Sequence, residues 1–385
     1  MRLEDICTVF TDGDWIESKD QSESGIRLVQ TGNIGEGRYL EKEARAKYIS
    51  EETFYKLKCT EIFPGDILVS RLPEPVGRAC IVPEKTERMI TAVDCTICRP
   101  NESLISKEYL CYFMRSNAYY TRLLGNVTGT TRKRISRKNL GSVELQIPTK
   151  DEQKIVVERL DCLVKAIDSR TKELQLLDEL IKARFVELFG DPRSNPFGFE
   201  KKMLKDTCKV ITGNTPSRAI AEYYGDYIEW IKTDNIVSGI LNPTQAIESL
   251  SEKGMNVGRT VEKDSILMAC IAGSIASIGR VCITDRTVAF NQQINAVVPE
   301  QYNILFLYVL LQMSKDYLVE DINMALKGIL SKSKLEEKEF IIPPMDLQEQ
   351  FSDFVKQVDK SKVAVQKALD ETQLLFNSLM QEYFG

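Results

Sequence analysis

The chain has 385 residues, of which 43% are apolar, and its formal net charge is −5. This length predicts two or three domains with hydrophobic cores, and the apolar content excludes a disordered chain. Because no run approaches twenty apolar residues and the first residues lack a signal-peptide profile, we expect a cytoplasmic protein without a membrane partner.

Two residue types limit the possible chemistry. The sequence contains ten cysteines and no histidine, which removes the commonest general base and the histidine ligands of metal sites. Cys95 and Cys98 have metal-ligand spacing, but they lie in a strand-like alternation without a second pair. We therefore expect reduced core cysteines, no metal site, no cofactor and no catalytic residues, so that the protein is not an enzyme.

Residues 1–147 form the first predicted domain. Short apolar runs alternate here with glycine and proline turns, a pattern typical of strands joined by tight loops. Strands are expected at 26–30, 66–70, 78–82 and 143–147, with a helix at 109–124.

A basic segment, residues 129–138, comes late in this domain. Small residues lead into a cluster of cations, as a phosphate-contacting loop would require, although a solvated surface loop has the same composition. The candidate DNA-binding residues of the first domain are Arg71, Thr130, Thr131, Arg132, Lys133, Arg134, Arg137 and Lys138.

Residues 148–190 are predicted to form one long helix, because the stretch follows a proline and ends at Gly190 with neither residue type inside. About forty residues at a rise of 1.5 Å make a rod of roughly 60 Å. Apolar residues recur at steps of three and four, which favours a helix-to-helix seam over an amphipathic helix packed only on its own domain. These residues are Leu160, Leu163, Ile167, Leu174, Leu177, Ile181 and Leu188.

The same stretch returns at 343–385, where Asp346 follows Asp151 by 195 residues without a gap. Such a repeat indicates a duplicated half-protein. Its apolar stripe consists of Phe351, Phe354, Val358, Val365, Ala368, Leu375 and Leu379.

Residues 191–200 are a short linker to the second predicted domain, 201–342. Ten residues reach at most about 35 Å, so the second domain must lie near the far end of the first helix and the second helix must run back. The predicted fold is therefore α+β, with two similar globular domains joined by two long antiparallel coiled-coil helices in a pseudo-two-fold repeat.

The second domain repeats the order of elements in the first. Strands are expected at 227–231, 265–268 and 278–283, and the constant offset pairs Ser136 with Ser331 and Arg137 with Lys332. Its basic cluster is thinner than that of the first domain. The candidate DNA-binding residues here are Lys327, Ser331, Lys332 and Lys334.

In combination these features resemble the specificity subunits of type I DNA restriction-modification systems over essentially the whole chain. The residues that carry the resemblance are the domain openings Asp12-Gly13-Asp14-Trp15-Ile16 and Gly213-Asn214-Thr215-Pro216-Ser217, the turn Pro64-Gly65-Asp66-Ile67-Leu68, and the helix entries Ile147-Pro148 and Ile342-Pro343-Pro344.

The resemblance implies two target-recognition domains, each reading half of a bipartite site in double-stranded DNA. It further implies that the helices space the domains and dock methyltransferase subunits, two of them, with restriction and translocase subunits joining through the complex. The alternatives are a coiled-coil adaptor that presents two binding modules to a non-nucleic partner, and a self-sufficient methyltransferase or nuclease, which the missing catalytic motifs disfavour.

Overall fold

A computed structural model describes residues 1–125, 133–320, 322 and 328–385. The chain divides into two compact units. Unit 1 consists of Met1–Ser169 and Ala368–Gly385, and unit 2 of Arg170–Lys367. Each long helix therefore contributes to both units.

The described globular part of unit 1 contains short strands and four short α-helices, of which the first lies between the third and fourth strands. Its strands are β1 (Cys7–Asp12), β2 (Ile26–Val29), β3 (Tyr48–Ile49), β4 (Glu61–Ile62), β5 (Ile67–Ser70), β6 (Ala79–Ile81), β7 (Met89–Thr91) and β8 (Cys95–Pro100). Its helices are α1 (Glu51–Leu57), α2 (Lys107–Phe113), α3 (Asn117–Leu124) and α4 (Arg137–Gly141), followed by the long helix α5 (Lys150–Phe189), which continues into unit 2.

Two four-stranded sheets form the scaffold of unit 1. One is antiparallel with the order β1-β8-β5-β6, and the other has the order β3-β2-β7-β4 with β2 and β7 parallel. Along β5, Leu68 faces a core shared with the second sheet, whereas Ile67 and Val69 face the helices. Because both faces are covered, the whole strand is buried and reads as a continuous apolar run.

Two predictions for this unit are wrong in detail. The expected helix at 109–124 is split into α2 and α3, because the Ser116 hydroxyl accepts a hydrogen bond from the Tyr119 N–H and begins a new helix. The expected strand at 143–147 is only an isolated bridge between Arg2 and Glu144, since the partner segment turns into a 3₁₀ helix at Glu4–Ile6.

Unit 2 repeats the arrangement. Its strands are β9 (Lys201–Met203), β10 (Cys208–Thr212), β11 (Tyr224–Gly225), β12 (Ile228–Ile231), β13 (Ser249–Leu250), β14 (Thr260–Val261), β15 (Ile266–Ala269), β16 (Ile271–Ala272), β17 (Val281–Ile283), β18 (Val288–Phe290), β19 (Ile294–Pro299), β20 (Gly328–Ile329) and β21 (Glu339–Ile341). Its helices are α6 (Glu252–Val257), α7 (Ile304–Met313), α8 (Lys315–Val319), α9 (Lys332–Glu336) and the long α10 (Met345–Phe384), which continues into unit 1.

The main sheet of unit 2 has the order β10-β19-β15-β17, which matches β1-β8-β5-β6 strand for strand. In its second sheet β12 and β18 are parallel, as β2 and β7 are in unit 1. The alternation also recurs, because Leu267 and Ala269 face the sheet–sheet core and Ile266 and Met268 face the helices. The predicted internal repeat is therefore confirmed at the level of sheet topology.

Within each unit the two long helices run antiparallel. In unit 2, Phe351 of α10 packs on both Phe185 and Phe189 of α5, with ring centroids 5.6 Å apart in each pair. Further along α10, and correspondingly earlier in α5, the Lys362 ammonium lies 2.7 Å from an Asp178 carboxylate oxygen. In unit 1 the other ends meet, and Arg159 donates a 2.8 Å hydrogen bond to the Tyr383 hydroxyl.

Each long helix buries its C-terminal end more deeply than the apolar stripe predicts. Leu375, expected in the seam, is half exposed, and its neighbour Phe376 is buried against Tyr112 instead. Phe376, Met380 and Phe384 join the core of unit 1, and Phe185 and Phe189 join that of unit 2. The three-four stripe missed these residues because they also pack against the globular parts, as Phe376 does on Tyr112 and Phe189 on Phe306, and not only on the other helix.

One buried glutamine anchors the start of each long helix. Gln153 accepts a hydrogen bond from the Ser106 N–H at 2.8 Å and donates to the carbonyls of Leu104 and Pro148. Gln348 accepts from the Asn303 N–H at 2.9 Å and donates to the Pro343 carbonyl at 2.8 Å. Each glutamine therefore ties its helix to the N-terminus of the helix beneath it, α2 or α7.

In the described part of the chain, no helix combines the length and the apolar character needed to cross a membrane.

Candidate nucleic-acid interface

The described part of the basic segment is anchored by a single buried residue. Ile135 is fully buried, and its N–H donates to the Arg71 carbonyl at 3.3 Å. The Ser136 hydroxyl then accepts from the Asn139 N–H at 3.1 Å and caps α4. The four flanking cations of the described segment are exposed; they are Lys133, Arg134, Arg137 and Lys138.

Both arginines among these four cations lie beside carboxylates. Arg134 lies 2.8 Å from an Asp94 carboxylate oxygen, and Arg137 lies 3.9 Å from an Asp12 carboxylate oxygen. Lys133 and Lys138 form no ion pair among the residues that the structure describes. In the described part of this segment, the two lysines thus carry the charge that is not offset locally.

Arg71 differs from the other candidates because it is only 5% exposed. Its guanidinium donates to the Val93 carbonyl at 2.6 Å and lies 3.4 Å from the Asp12 carboxylate. Burial lowers the pKa of Arg71, and the carboxylate of Asp12 opposes that shift. Arg71 thus lies beneath the basic segment and links it to the turn at Val93.

The corresponding segment of the second domain is less basic. Ser331 caps α9 by accepting from the Lys334 N–H at 3.3 Å, as Ser136 caps α4. Lys332 lies 3.5 Å from the Glu336 carboxylate one turn along that helix, and Lys334 is exposed. The predicted difference in charge between the two segments is present in their described parts.

Four predicted residues, Thr130, Thr131, Arg132 and Lys327, lie outside the described residues.

The family model for the type I restriction modification DNA specificity domain matches this chain twice, over residues 1–179 and 196–372. The chain belongs to this family. Its members of known name are specificity subunits, which recognise DNA for a restriction-modification complex and are not themselves catalytic.

Two relatives illustrate the membership. The HindI specificity subunit of Haemophilus influenzae is 22% identical over 363 residues, 74% of this chain and 77% of the relative. The MjaIX specificity subunit of Methanocaldococcus jannaschii is 24% identical over 333 residues, 80% of this chain and 74% of the relative.

Solved structures share the fold. The type I restriction-modification S subunit from M. genitalium has a TM-score of 0.60 at 14% identity, covering 100% of this chain and 95% of that one. A chain from a study of assembly and conformational transition in the type I system has a TM-score of 0.58 at 16% identity, covering 100% and 96%.

The carboxylates of Asp12 and Asp94 were not anticipated as part of this specificity-domain surface. Asp12 contacts Arg71 and Arg137, and it accepts a 3.0 Å hydrogen bond from the Thr96 hydroxyl. The sequence feature that could have indicated Asp12 is its position at the start of the domain-opening motif. Asp94 carried no signal, since only the folded sheet brings it beside Arg134.

The cysteines of this specificity subunit do not form a ligand set. Among the described residues no three histidine, cysteine, aspartate or glutamate side chains meet as a metal site would require. Cys95 and Cys98 are fully buried, and burial raises the pKa of the Cys95 thiol to about 12, which keeps it protonated at neutral pH.

Proposed function

We propose that each domain, 1–147 and 201–342, reads one half of a bipartite target in double-stranded DNA. The observation that carries this proposal is the tandem repetition of one sheet topology with different side chains on the two surfaces. A repeated scaffold places two readers in equivalent frames, and different side chains give them different base preferences. The two half-sites are therefore expected to differ.

The long helices, 148–190 and 343–385, are proposed to set the distance between the half-sites and to dock two methyltransferase subunits. Antiparallel packing within each unit supports the first role, because the start of one helix is fixed against the end of the other. Restriction and translocase subunits are expected to join through the resulting complex, in the cytoplasm. Membership of the specificity family disfavours the adaptor alternative.

The phosphate contacts are proposed to come from the exposed cations of the basic segment and from Ser331, Lys332 and Lys334 in the second domain. The proposal also includes the predicted residues outside the described structure, Thr130, Thr131, Arg132 and Lys327. Arg71, also a predicted contact residue, is expected to act mainly by holding the segment in place, because its guanidinium is buried and bonded to Val93.

Methylation mapping of DNA exposed to this protein with its methyltransferase tests the proposal. We expect two short specified sequences separated by an unspecified spacer. Exchanging residues 201–342 for the second domain of another family member should change one half-sequence and keep the other. A continuous single target, or no sequence-specific methylation, would contradict the proposal.

The first prediction concerns the two lysines whose charge is not offset locally. Replacing Lys133 and Lys138 with alanine should weaken binding of the complex to every duplex and reduce the slope of log K against log salt by about 2, since each phosphate contact contributes nearly one unit. Titrations at several salt concentrations measure this slope.

A matched pair, Lys42→Ala with Lys56→Ala, removes two exposed lysines of the same domain outside the basic segment. It should leave the slope unchanged. Equal slopes for both double variants would show that the basic segment is a solvated loop.

A further inference from the structure

The two domains share a pair of adjoining turns at one end of the main sheet. In the first domain, residues 12–15 lie against residues 91–95, and in the second, residues 212–215 lie against residues 290–294. We call each pair the paired turns. Equivalent backbone bonds hold them: Gly13 N–H donates to the Cys95 carbonyl at 2.9 Å, and Gly213 N–H donates to that of Ile294 at 3.0 Å.

A glycine is required at the same place in both pairs. A Cβ on Gly13 would lie 2.3 Å from the Thr91 carbonyl oxygen, and a Cβ on Gly213 would lie 2.1 Å from that of Asn291. Neither carbonyl belongs to a side chain that could rotate away. The backbone of the paired turns is therefore constrained in the same way in both domains, although the side chains on it differ.

The paired turns connect to the basic segment in each domain. Arg71 N–H donates to the Asp94 carbonyl at 2.9 Å, and the Arg71 carbonyl accepts from Ile135 N–H. In the second domain Cys270 makes the same two bonds, to Gln293 at 2.8 Å and from Leu330 at 2.9 Å. The same two backbone hydrogen bonds thus join the paired turns to the segment expected to contact phosphate in both domains.

The exposed side chains of the paired turns differ in chemistry between the two domains. Trp15 is 69% exposed, immediately after the hydrogen-bonded Asp14, and its indole N–H donates to Glu17 at 3.3 Å. The corresponding residue in the second domain is Thr215, which is exposed and hydrogen-bonded to exposed Gln292. A large exposed tryptophan on a fixed backbone stays in water unless a partner covers it.

We propose that the paired turns read the bases of the DNA, with Trp15 in apolar contact with the first half-site and Thr215 and Gln292 hydrogen-bonded to the second. An indole packs on a thymine methyl group or on a base face, whereas a threonine hydroxyl and a glutamine amide match base edges in the major groove. This inference rests on the proposed function. It assigns the side chains that distinguish base sequences, which the basic segment cannot do because phosphate contacts carry no sequence information.

Salt dependence separates these reading groups from the phosphate contacts. Trp15→Ala should weaken methylation and binding of the target by about ten- to a hundredfold while the slope of log K against log salt stays unchanged, because no cation is lost. Trp15→Phe should restore part of the affinity. Gln292→Ala with Thr215→Ala should relax the base preference at the second half-site only.

Phe63→Ala is the matched control for Trp15→Ala. Phe63 is 47% exposed and precedes β5, at the opposite end of the main sheet from the paired turns, since Ile67 pairs with Cys98 and Ser70 with Cys95. Its loss should not change binding of the target. An effect equal to that of Trp15→Ala would show only a general loss of apolar surface and would overturn the assignment.

A direct observation uses the fact that the chain has two tryptophans. With this subunit alone labelled with 5-fluorotryptophan, the assembled complex should give two ¹⁹F signals, assigned by the Trp15→Phe variant. A duplex that carries the target should shift the Trp15 signal, whereas a duplex with an altered first half-site should not. Trp230 is no silent reference, because its indole N–H donates to the Asn214 carbonyl in the paired turns of the second domain.

A Trp15 signal that shifts on adding the methyltransferase and not DNA would place the indole at a protein interface and overturn the inference. A wild-type complex that binds its target with no change at Trp15, and with full affinity in Trp15→Ala, would also overturn it while leaving the proposed function intact. Absence of any specific binding by the wild-type complex would instead refute the proposed function.

Discussion

At the scale of single residues, buried polar side chains fix where the long helices begin. Gln153 and Gln348 are each 1% exposed, and together they satisfy backbone groups of the helices and loops beneath them. Removing such a side chain leaves buried donors and acceptors without partners, which costs more than the hydrogen bonds themselves contribute.

We predict that Gln153→Ala lowers the free energy of unfolding of unit 1, and Gln348→Ala that of unit 2, by about 1–3 kcal/mol. Lys154→Ala is the control. Lys154 follows Gln153 on α5 but is exposed, so its replacement should change the free energy of unfolding by less than about 0.5 kcal/mol. Urea unfolding, monitored by amide hydrogen exchange, shows which unit has lost free energy of unfolding. Stability equal to that of Lys154→Ala would mean that water replaces the glutamine at no cost.

At the scale of elements, the C-terminal end of each long helix is part of a globular core. The Phe189 ring lies 4.8 Å from that of Phe306 and 5.6 Å from that of Phe351. Phe384 occupies the equivalent place in unit 1, with its ring 5.2 Å from that of Tyr109. Each long helix is thus anchored by aromatic packing at its C-terminal end, and not by the seam between the helices alone.

Phe189→Ala should destabilise unit 2 by about 3–5 kcal/mol, the usual cost of deleting a buried phenyl ring. Val186→Ala, on the same helix but 44% exposed, should cost far less and serves as the control. The emission of Trp230, which is buried in unit 2, reports unfolding of that unit, whereas exposed Trp15 contributes little change. A transition that does not move in Phe189→Ala would show that the helix end is not anchored there.

At the scale of the whole molecule, each long helix continues from one unit into the other, α5 after Ser169 and α10 after Lys367. If the helices set the distance between the half-sites, lengthening both must lengthen the spacer in the target. Lengthening only one would instead break the antiparallel pairing.

We therefore predict that inserting four helical residues after Ser169 and four after Lys367 adds about 6 Å and so one or two spacer base pairs at ~3.4 Å each, with both half-sequences unchanged. Methylation mapping of the variant complex measures the spacer. Four residues inserted into the linker after Ser194, which is exposed, should leave the spacer unchanged. The same spacer in the helix variant would exclude the helices as the ruler.

Local patterns in the sequence determined the elements that depend on short-range periodicity. The two forty-residue helices follow from the absence of glycine and proline between fixed end points, and their repetition follows from the constant offset. The main strands β2, β5, β6, β12 and β15 were predicted within one or two residues because buried apolar runs between turn residues have few other interpretations. The motifs in combination were also enough to indicate the family.

Tertiary structure alone decided which of those residues face one another. Asp94 meets Arg134 only because β8 and the basic segment converge at one end of a sheet, and no local pattern encodes that meeting. Phe376 is buried and Leu375 is half exposed because the partner of Phe376 is Tyr112, far away in the chain. Sequence periodicity specifies the face of a helix, but the fold specifies what that face packs against, since contact partners are chosen by three-dimensional packing.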